Sequence, residues 1–178
     1  MRITIARRQA MLERLARTYF GMTTGLRFNS SFELLVAVIL SAQCTDVRVN
    51  IITGRLFPQW NSPDKMLELE LSQLEELIHD CGLFRAKAKN LLGACRLLVE
   101  QYQGEVPGTM EDLLKLPGVG RKTANVMLSH QFNVPAIAVD THVFRVANRT
   151  KLAVGKTPGE VEQGLMKIIP RRDWPAAQ

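Results

Sequence analysis

Three cysteines in 178 residues, at positions 44, 81 and 95, are too few and too widely spaced for a disulfide framework. No C-x-x-C pair exists to seed a zinc knuckle, so the sequence offers no metal site. Cys81 and Cys95 fall within apolar helical patterns and read as small core hydrophobes, which makes a reducing, cytoplasmic setting the natural expectation. Long hydrophobic runs are also missing. The longest, Leu34–Leu40, falls far short of the roughly twenty residues that span a bilayer. The basic opening Met1-Arg2-Ile3-Thr4-Ile5-Ala6-Arg7-Arg8 leads into no apolar signal segment, so no targeting sequence and no membrane partner are expected. Internal repeats, low-complexity stretches and linker-like segments are likewise absent, and no pattern makes a convincing sheet.

What is present is a chain that is 46% hydrophobic, enough for a sizeable core in one domain or two small ones. Its charged fraction of 22% is ordinary for a soluble protein. The net charge of +6 and pI near 9.5 suit a polyanionic partner such as nucleic acid, although basic character alone identifies none.

The apolar spacing is helical almost throughout. A first helix is predicted over Ile5–Tyr19, with Ala6, Ala10, Leu12, Leu15 and Tyr19 inward, then a loop over Gly21–Arg27. Ser30 with Glu33 forms a capping box ahead of Phe32–Leu40, a stretch apolar nearly all round that reads as a central buried helix. Thr45 or Asp46 caps the next helix, which carries Val49, Ile52 and Leu56 and is closed by Pro58. Ser62-Pro63 marks another start, and Ser72 with Glu75 a further capping box, followed by Gly82 as a C-terminal glycine cap. A longer helix is predicted over Arg85–Tyr102, with Leu91, Leu92, Cys95, Leu98 and Val99 inward. Thr109 with Asp112 opens a short helix, and Asp140 and Thr157 cap two more. Val134–Val139 is β-prone but has no partner strand. The expectation is an all-α bundle of eight to ten short helices.

The most informative segment is Leu116-Pro117-Gly118-Val119-Gly120-Arg121-Lys122. Pro117 stops one helix, and the next begins near Arg121 or Lys122. The two glycines can take positive φ and let backbone approach a ligand closely. A phosphate oxygen placed there meets several N–H donors and the positive end of a helix. Such a grip reads no base edge and is therefore indifferent to DNA sequence. The plain alternative is an ordinary turn. Lys122 can be a simple phosphate contact. Arg121 beside it and the helix N-terminus both disfavour a further positive charge, which would leave more free amine to act as a nucleophile. Asp140, in Val139-Asp140-Thr141-His142, can supply a carboxylate to assist, or can be an N-cap and nothing more.

Residues 116–125, Leu-Pro-Gly-Val-Gly-Arg-Lys-Thr-Ala-Asn, and 138–146, Ala-Val-Asp-Thr-His-Val-Phe-Arg-Val, resemble the helix-hairpin-helix DNA glycosylases, most closely the endonuclease III group. Leu-Ser-Ala-Gln-Cys-Thr-Asp at 40–46 and Gly82-Leu83-Phe84 with Lys87-Ala88 fit the same pattern, in the family's order, over essentially the whole chain. The resemblance implies base-excision repair of damaged double-stranded DNA by a monomer that combines glycosylase and AP lyase activity on oxidised pyrimidines. It gives Lys122 the attack on C1′ and Asp140 assistance to base departure. It gives Gln43 the filling of the vacated space and Leu83 an apolar wedge. By themselves Gln43 reads as a polar helix end and Leu83 as a core leucine. Ser41 and Asp46 are candidate lesion-pocket contacts, or helix caps. A non-catalytic DNA-binding fragment and a monofunctional glycosylase are the alternative functions. The related adenine glycosylases lack a lysine at the position of Lys122.

The resemblance also implies one lobe made of residues 29–150. A second lobe would be made of the N-terminal helix within 1–28 and a C-terminal part that begins at 151–178. Most family members bind a 4Fe–4S cluster through four cysteines near the C-terminus. None of Cys44, Cys81 or Cys95 matches those ligands, so no cofactor is expected to be ligated by this chain. The expectation is a truncated sequence, with a natural cluster-free variant second. In either case the first helix would lose part of its apolar cover, which predicts low stability or aggregation.

Overall fold

The computed structural model describes residues 4–19 and 24–176. The first three residues of the expected Gly21–Arg27 loop, the basic start at 1–3 and the final residues 177–178 lie outside that range. Ten α-helices occur among the described residues: α1 Ile5–Thr18, α2 Ser31–Ser41, α3 Asp46–Leu56, α4 Pro63–Met66, α5 Leu71–Leu77, α6 Phe84–Tyr102, α7 Met110–Leu113, α8 Arg121–Gln131, α9 Thr141–Thr150 and α10 Pro158–Met166. A 3₁₀ turn follows at Arg171–Ala176. There is no strand among the described residues; 134–140 takes no regular secondary structure, and Ala136–Val139 are buried. The all-α expectation is met.

Contacts divide the chain into two compact units, one of residues 24–127 and one of residues 1–23 with 128–178. The division falls within α8. The unit of residues 24–127 is organised on α2. Every residue from Phe32 to Leu40 is buried, which is why this helix shows no polar face in the sequence. Its start is set by Ser30, whose hydroxyl accepts the Glu33 N–H at 3.1 Å. The Glu33 carboxylate reaches one residue further back than a capping box requires, to the Asn29 N–H at 2.6 Å. Helices α3 and α6 pack on α2, with Val49, Ile52 and Leu56 fully buried from α3. From α6, Ala88, Leu91, Leu92, Cys95 and Leu98 are buried. Burial pushes the Cys95 thiol up to about 12, as its role as a core hydrophobe demands.

One cap in this unit differs from expectation. The N-cap of α5 is Glu70 rather than Ser72, and its N–H is satisfied by the Gln73 side chain at 2.8 Å. Of the two candidates ahead of α3, Thr45 is the cap, accepting the Arg48 N–H, while Asp46 is the first helical residue. At α4, Ser62 caps and Pro63 opens the helix, as expected.

The other unit has its own core of Ile137, Val139, Ala147, Leu152, Ala153, Val161, Leu165 and Ile169, onto which Met11, Leu12, Val143, Phe144 and Trp174 pack. Thr157 caps α10 through the Glu160 N–H. Here the amphipathic reading of α1 was too generous. Leu12 is half-buried, but Ala6, Ala10, Leu15 and Tyr19 are exposed, Tyr19 at 57%. Val146 of α9 is also exposed.

Candidate nucleic-acid interface

The hairpin is built from its buried anchors outward. Leu116 and Val119 are buried, and the Val119 N–H bonds the Leu116 carbonyl at 3.0 Å, closing a tight turn. Pro117 sits against α6 where Gly93 leaves room: a Cβ at Gly93 would lie 3.2 Å from the Pro117 Cγ. Gly118 adopts φ +81°, the left-handed region, and a Cβ there would lie 3.0 Å from the Cβ of Asn90. Of the two glycines that can take positive φ, only Gly118 does so. Gly120 does not, and a Cβ on it would meet nothing within 4 Å. Gly118 therefore turns the chain, whereas Gly120 leaves its exposed backbone open to approach.

The entry to the hairpin is braced by side chains. Thr109 caps α7, accepting the Asp112 N–H at 3.2 Å while its hydroxyl donates to the Asp112 carboxylate at 2.7 Å. Tyr102 donates to the same carboxylate at 3.0 Å, and Lys115 donates at 2.8 Å. The Lys115 contact, then the two hydroxyls, hold the Asp112 carboxyl down to about 2. This cluster ties the end of α6 to α7 immediately before Leu116.

On the exit side, α8 begins at Arg121, and the Ala124 N–H bonds the Gly120 carbonyl at 2.9 Å. Ala124 and Met127 are fully buried on the inner face, and Arg121 and Lys122 are exposed in the first turn. Lys122 thus stands immediately beyond the open backbone of Gly120.

A second cluster forms where α2 ends and α6 begins. Ser41 closes α2, and its hydroxyl donates to the Val38 carbonyl at 2.9 Å. Gln43 follows in an exposed turn with left-handed backbone, φ 55°. Asp46 is exposed at the start of α3, beside Gly25. Leu83, the residue before α6, also has left-handed backbone, φ 60°. Leu83 is not a core leucine: it is 62% exposed. Nor does Gly82 carry the positive φ of a glycine cap. It instead allows close approach, since a Cβ there would lie 3.3 Å from the Gln43 carbonyl oxygen. The structure therefore brings Gln43 and Leu83 together at adjoining turns.

Asp140 lies in the other unit, half-buried at the start of α9. Its Oδ1 accepts the N–H groups of His142 at 2.9 Å and Val143 at 2.8 Å. Asp140 is therefore an N-cap, whatever else it does.

Sequence reasoning did not single out Gly93, Asn90 or Lys87 as functional. Lys87 left a signal: it lies one helical turn before Leu91 on the inward stripe of α6, and a charged residue on a core stripe calls for an explanation.

Residues of this chain do not fit the iron–sulfur cluster that the resemblance brings with it. A 4Fe–4S cluster takes four thiolates, the sequence has three cysteines, and Cys81 and Cys95 are buried in the helical core. No group of three or more His, Cys, Asp or Glu residues stands ready for a metal among the described residues. Among those residues, too, no helix is long and apolar enough to cross a membrane.

A helical core that presents a glycine hairpin and a first-turn lysine defines a class, and comparison with known proteins identifies it. Residues 36–171 match the HhH-GPD superfamily of base excision DNA repair proteins, and the chain belongs to that family. It is 51% identical over 165 residues to endonuclease III of Escherichia coli, covering 93% of this chain and 78% of that protein. It is 50% identical over 161 residues to endonuclease III of a Synechocystis species, covering 90% of this chain and 74% of that one. A solved structure of a trapped endonuclease III–DNA covalent intermediate superposes with a TM-score of 0.95 at 45% identity, covering 98% of this chain and 83% of that one. A thermostable thymine-DNA glycosylase, 21% identical with a TM-score of 0.74, shares the fold.

Proposed function

We propose that this chain is a base-excision repair enzyme of the endonuclease III type, a bifunctional DNA glycosylase and AP lyase. Its substrate is double-stranded DNA carrying an oxidised pyrimidine, and it acts as a monomer in the bacterial cytoplasm, where the nucleoid lies. The observation that carries the reading is the placement of Lys122, exposed in the first turn of α8 beside the open backbone at Gly120.

The hairpin Leu116–Arg121 grips a backbone phosphate through exposed N–H groups, aided by the N-terminus of α8. The damaged nucleotide leaves the stack so that its sugar reaches the amine. The lone pair on the Lys122 Nζ forms a bond to C1′. The glycosidic C–N bond breaks, and the base departs with its electron pair and takes up a proton. Asp140 stabilises the positive charge that develops on the sugar, or receives the proton that Lys122 loses. The sugar ring opens to a protonated Schiff base. Loss of a proton from C2′ then expels the 3′ phosphate as the C3′–O bond breaks, and water frees the lysine. Gln43 occupies the space left in the helix, Leu83 wedges the opposite side, and Ser41 and Asp46 face the extruded base.

Borohydride reduction tests this, because it converts the Schiff base to a stable amine. The unaltered chain should form a covalent adduct with duplex DNA containing an abasic site, and Lys122→Ala should form none. Tight binding without trapping by the unaltered chain would refute the lyase. Base release without strand cleavage would indicate a monofunctional glycosylase.

A further inference from the structure

Left-handed backbone is unfavourable for a residue with a side chain, and Gln43 and Leu83 both adopt it at exposed positions. Burial of these two side chains does not offset the strain, because they face outward. Gln103, Asn133 and Lys151 share this backbone at exposed positions; what marks Gln43 and Leu83 is a single buried group that bonds both turns.

That group is Lys87, which is 4% exposed. Its Nζ donates to the Leu40 carbonyl at 2.9 Å, the Ala42 carbonyl at 2.6 Å and the Cys81 Sγ at 2.9 Å. The Cys81 thiol in turn donates to the Leu40 carbonyl at 3.2 Å. The Lys87 backbone N–H bonds the Leu83 carbonyl at 3.1 Å. Ala42 precedes Gln43, and Cys81 stands two residues before Leu83. One residue therefore grasps both turns, through its side chain on one and through side chain and backbone on the other.

The carbonyls at the end of α2 lack partners within the helix, and a positive group is favourable there. An exposed residue could satisfy them at little cost. A buried lysine does so only with a large desolvation penalty, and none of its three side-chain partners here is a carboxylate. Stability alone is a poor reason for such an arrangement. What the buried position adds is rigidity between two neighbouring turns.

We propose that Lys87 is a positioning residue that fixes Gln43 and Leu83 as a rigid two-pronged probe of the DNA duplex. This rests on the reading above that both residues enter the helix. The prongs matter only where a base pair must be opened. A single-stranded abasic site has no stack to invade and no opposite strand to separate.

The test compares Lys87→Met, similar in length and without donors, with the unaltered chain on two substrates. On duplex DNA with an oxidised pyrimidine, kcat/KM should fall about tenfold or more, while borohydride trapping on a single-stranded abasic oligonucleotide should stay within about twofold. Equal losses on both substrates, or no loss on the duplex, would overturn the proposal. If the unaltered chain traps neither substrate, the lyase assignment fails and this inference falls with it. Should Lys87→Met not fold by circular dichroism, the exposed tips give a second route. In a cycle of Gln43→Ala and Leu83→Ala, a rigid probe predicts strongly non-additive losses on the duplex, since one prong alone cannot complete the insertion. Additive losses would overturn it.

Discussion

Replacing Gly118 with alanine separates the turn-forming glycine of the hairpin from the open one. At φ +81° the left-handed conformation costs a residue with a Cβ about 1–2 kcal/mol. The new Cβ would also lie 3.0 Å from the Cβ of Asn90 and 3.3 Å from its Nδ2. The first of these atoms is fixed to the backbone of α6 and cannot swing aside, so crowding adds about 1–2 kcal/mol. The sum, about 2–4 kcal/mol, should lower Tm by something on the order of 10 °C for a chain of this size. Gly120→Ala places its methyl in open space and should change stability by less than about 0.5 kcal/mol. On the proposed function it should nevertheless weaken DNA binding, because the methyl would stand on the backbone proposed to meet the phosphate. Thermal and urea unfolding by circular dichroism, with binding to a duplex measured alongside, reads both effects. A cycle with Asn90→Gly isolates the crowding. The double variant should recover about 1–2 kcal/mol of the loss but not the conformational part, after about 0.5 kcal/mol is allowed for glycine in α6. A Gly118→Ala protein as stable as its parent, or one more stable than Gly120→Ala, would refute this account of the turn.

Two further outcomes follow from the braces around the site. The Asp112 carboxyl is lowered from 3.8 to about 2 by Lys115, Thr109 and Tyr102, so its stabilising contribution is complete above pH 3.8 and is lost as pH falls through 2. Urea midpoints measured between pH 5 and 2 should fall less steeply in Asp112→Asn than in the parent; parallel curves would count against the brace. At Asp140, an asparagine keeps an oxygen to cap the His142 and Val143 N–H groups, whereas alanine loses both bonds and about 1 kcal/mol. Asp140→Asn should therefore unfold like the parent yet release damaged bases much more slowly. Undiminished base release by Asp140→Asn would reduce Asp140 to a cap.

The fold was legible where apolar period and cap chemistry agreed. Phe32–Leu40 is apolar but for Glu33 because α2 is enclosed on every side, and Ser30, Ser62 and Thr157 cap where their hydroxyls can reach N3 amides. Sequence reasoning failed where a periodic apolar face meets no partner. Along α1 the pattern is genuine, but only Met11, Leu12 and Arg8 are even half-buried, because periodicity records which face could be buried and not whether another element covers it. It failed also at Ser72, where a capping box is a local possibility that competes with the equally local pair Glu70 and Gln73. For the site, Gly-x-Gly marked the hairpin, but not which glycine bends. Nor did it show that a Cβ at Gly118 would meet Asn90, some thirty residues earlier in the chain.

At Gly118, and at Gln43 and Leu83, left-handed backbone serves different needs. At Gly118 the chain turns without presenting a side chain, and glycine takes the conformation at no steric cost. At Gln43 and Leu83 glycine would be the less strained choice, and the sequence does not use it. Instead it places a glutamine and a leucine there, and spends a buried lysine, a buried thiol and a neighbouring glycine at position 82 to hold them. Strain of this kind persists only where the surroundings over-determine it. If only a turn were needed, glycine at 43 and 83 would serve and Lys87 could be apolar. Left-handed backbone alone does not mark function, since the exposed Gln103, Asn133 and Lys151 also adopt it; what sets Gln43 and Leu83 apart is the buried Lys87 that bonds both of their turns. On the proposed function, the 62% exposure of Leu83 leaves apolar surface that the face of an unstacked base would cover.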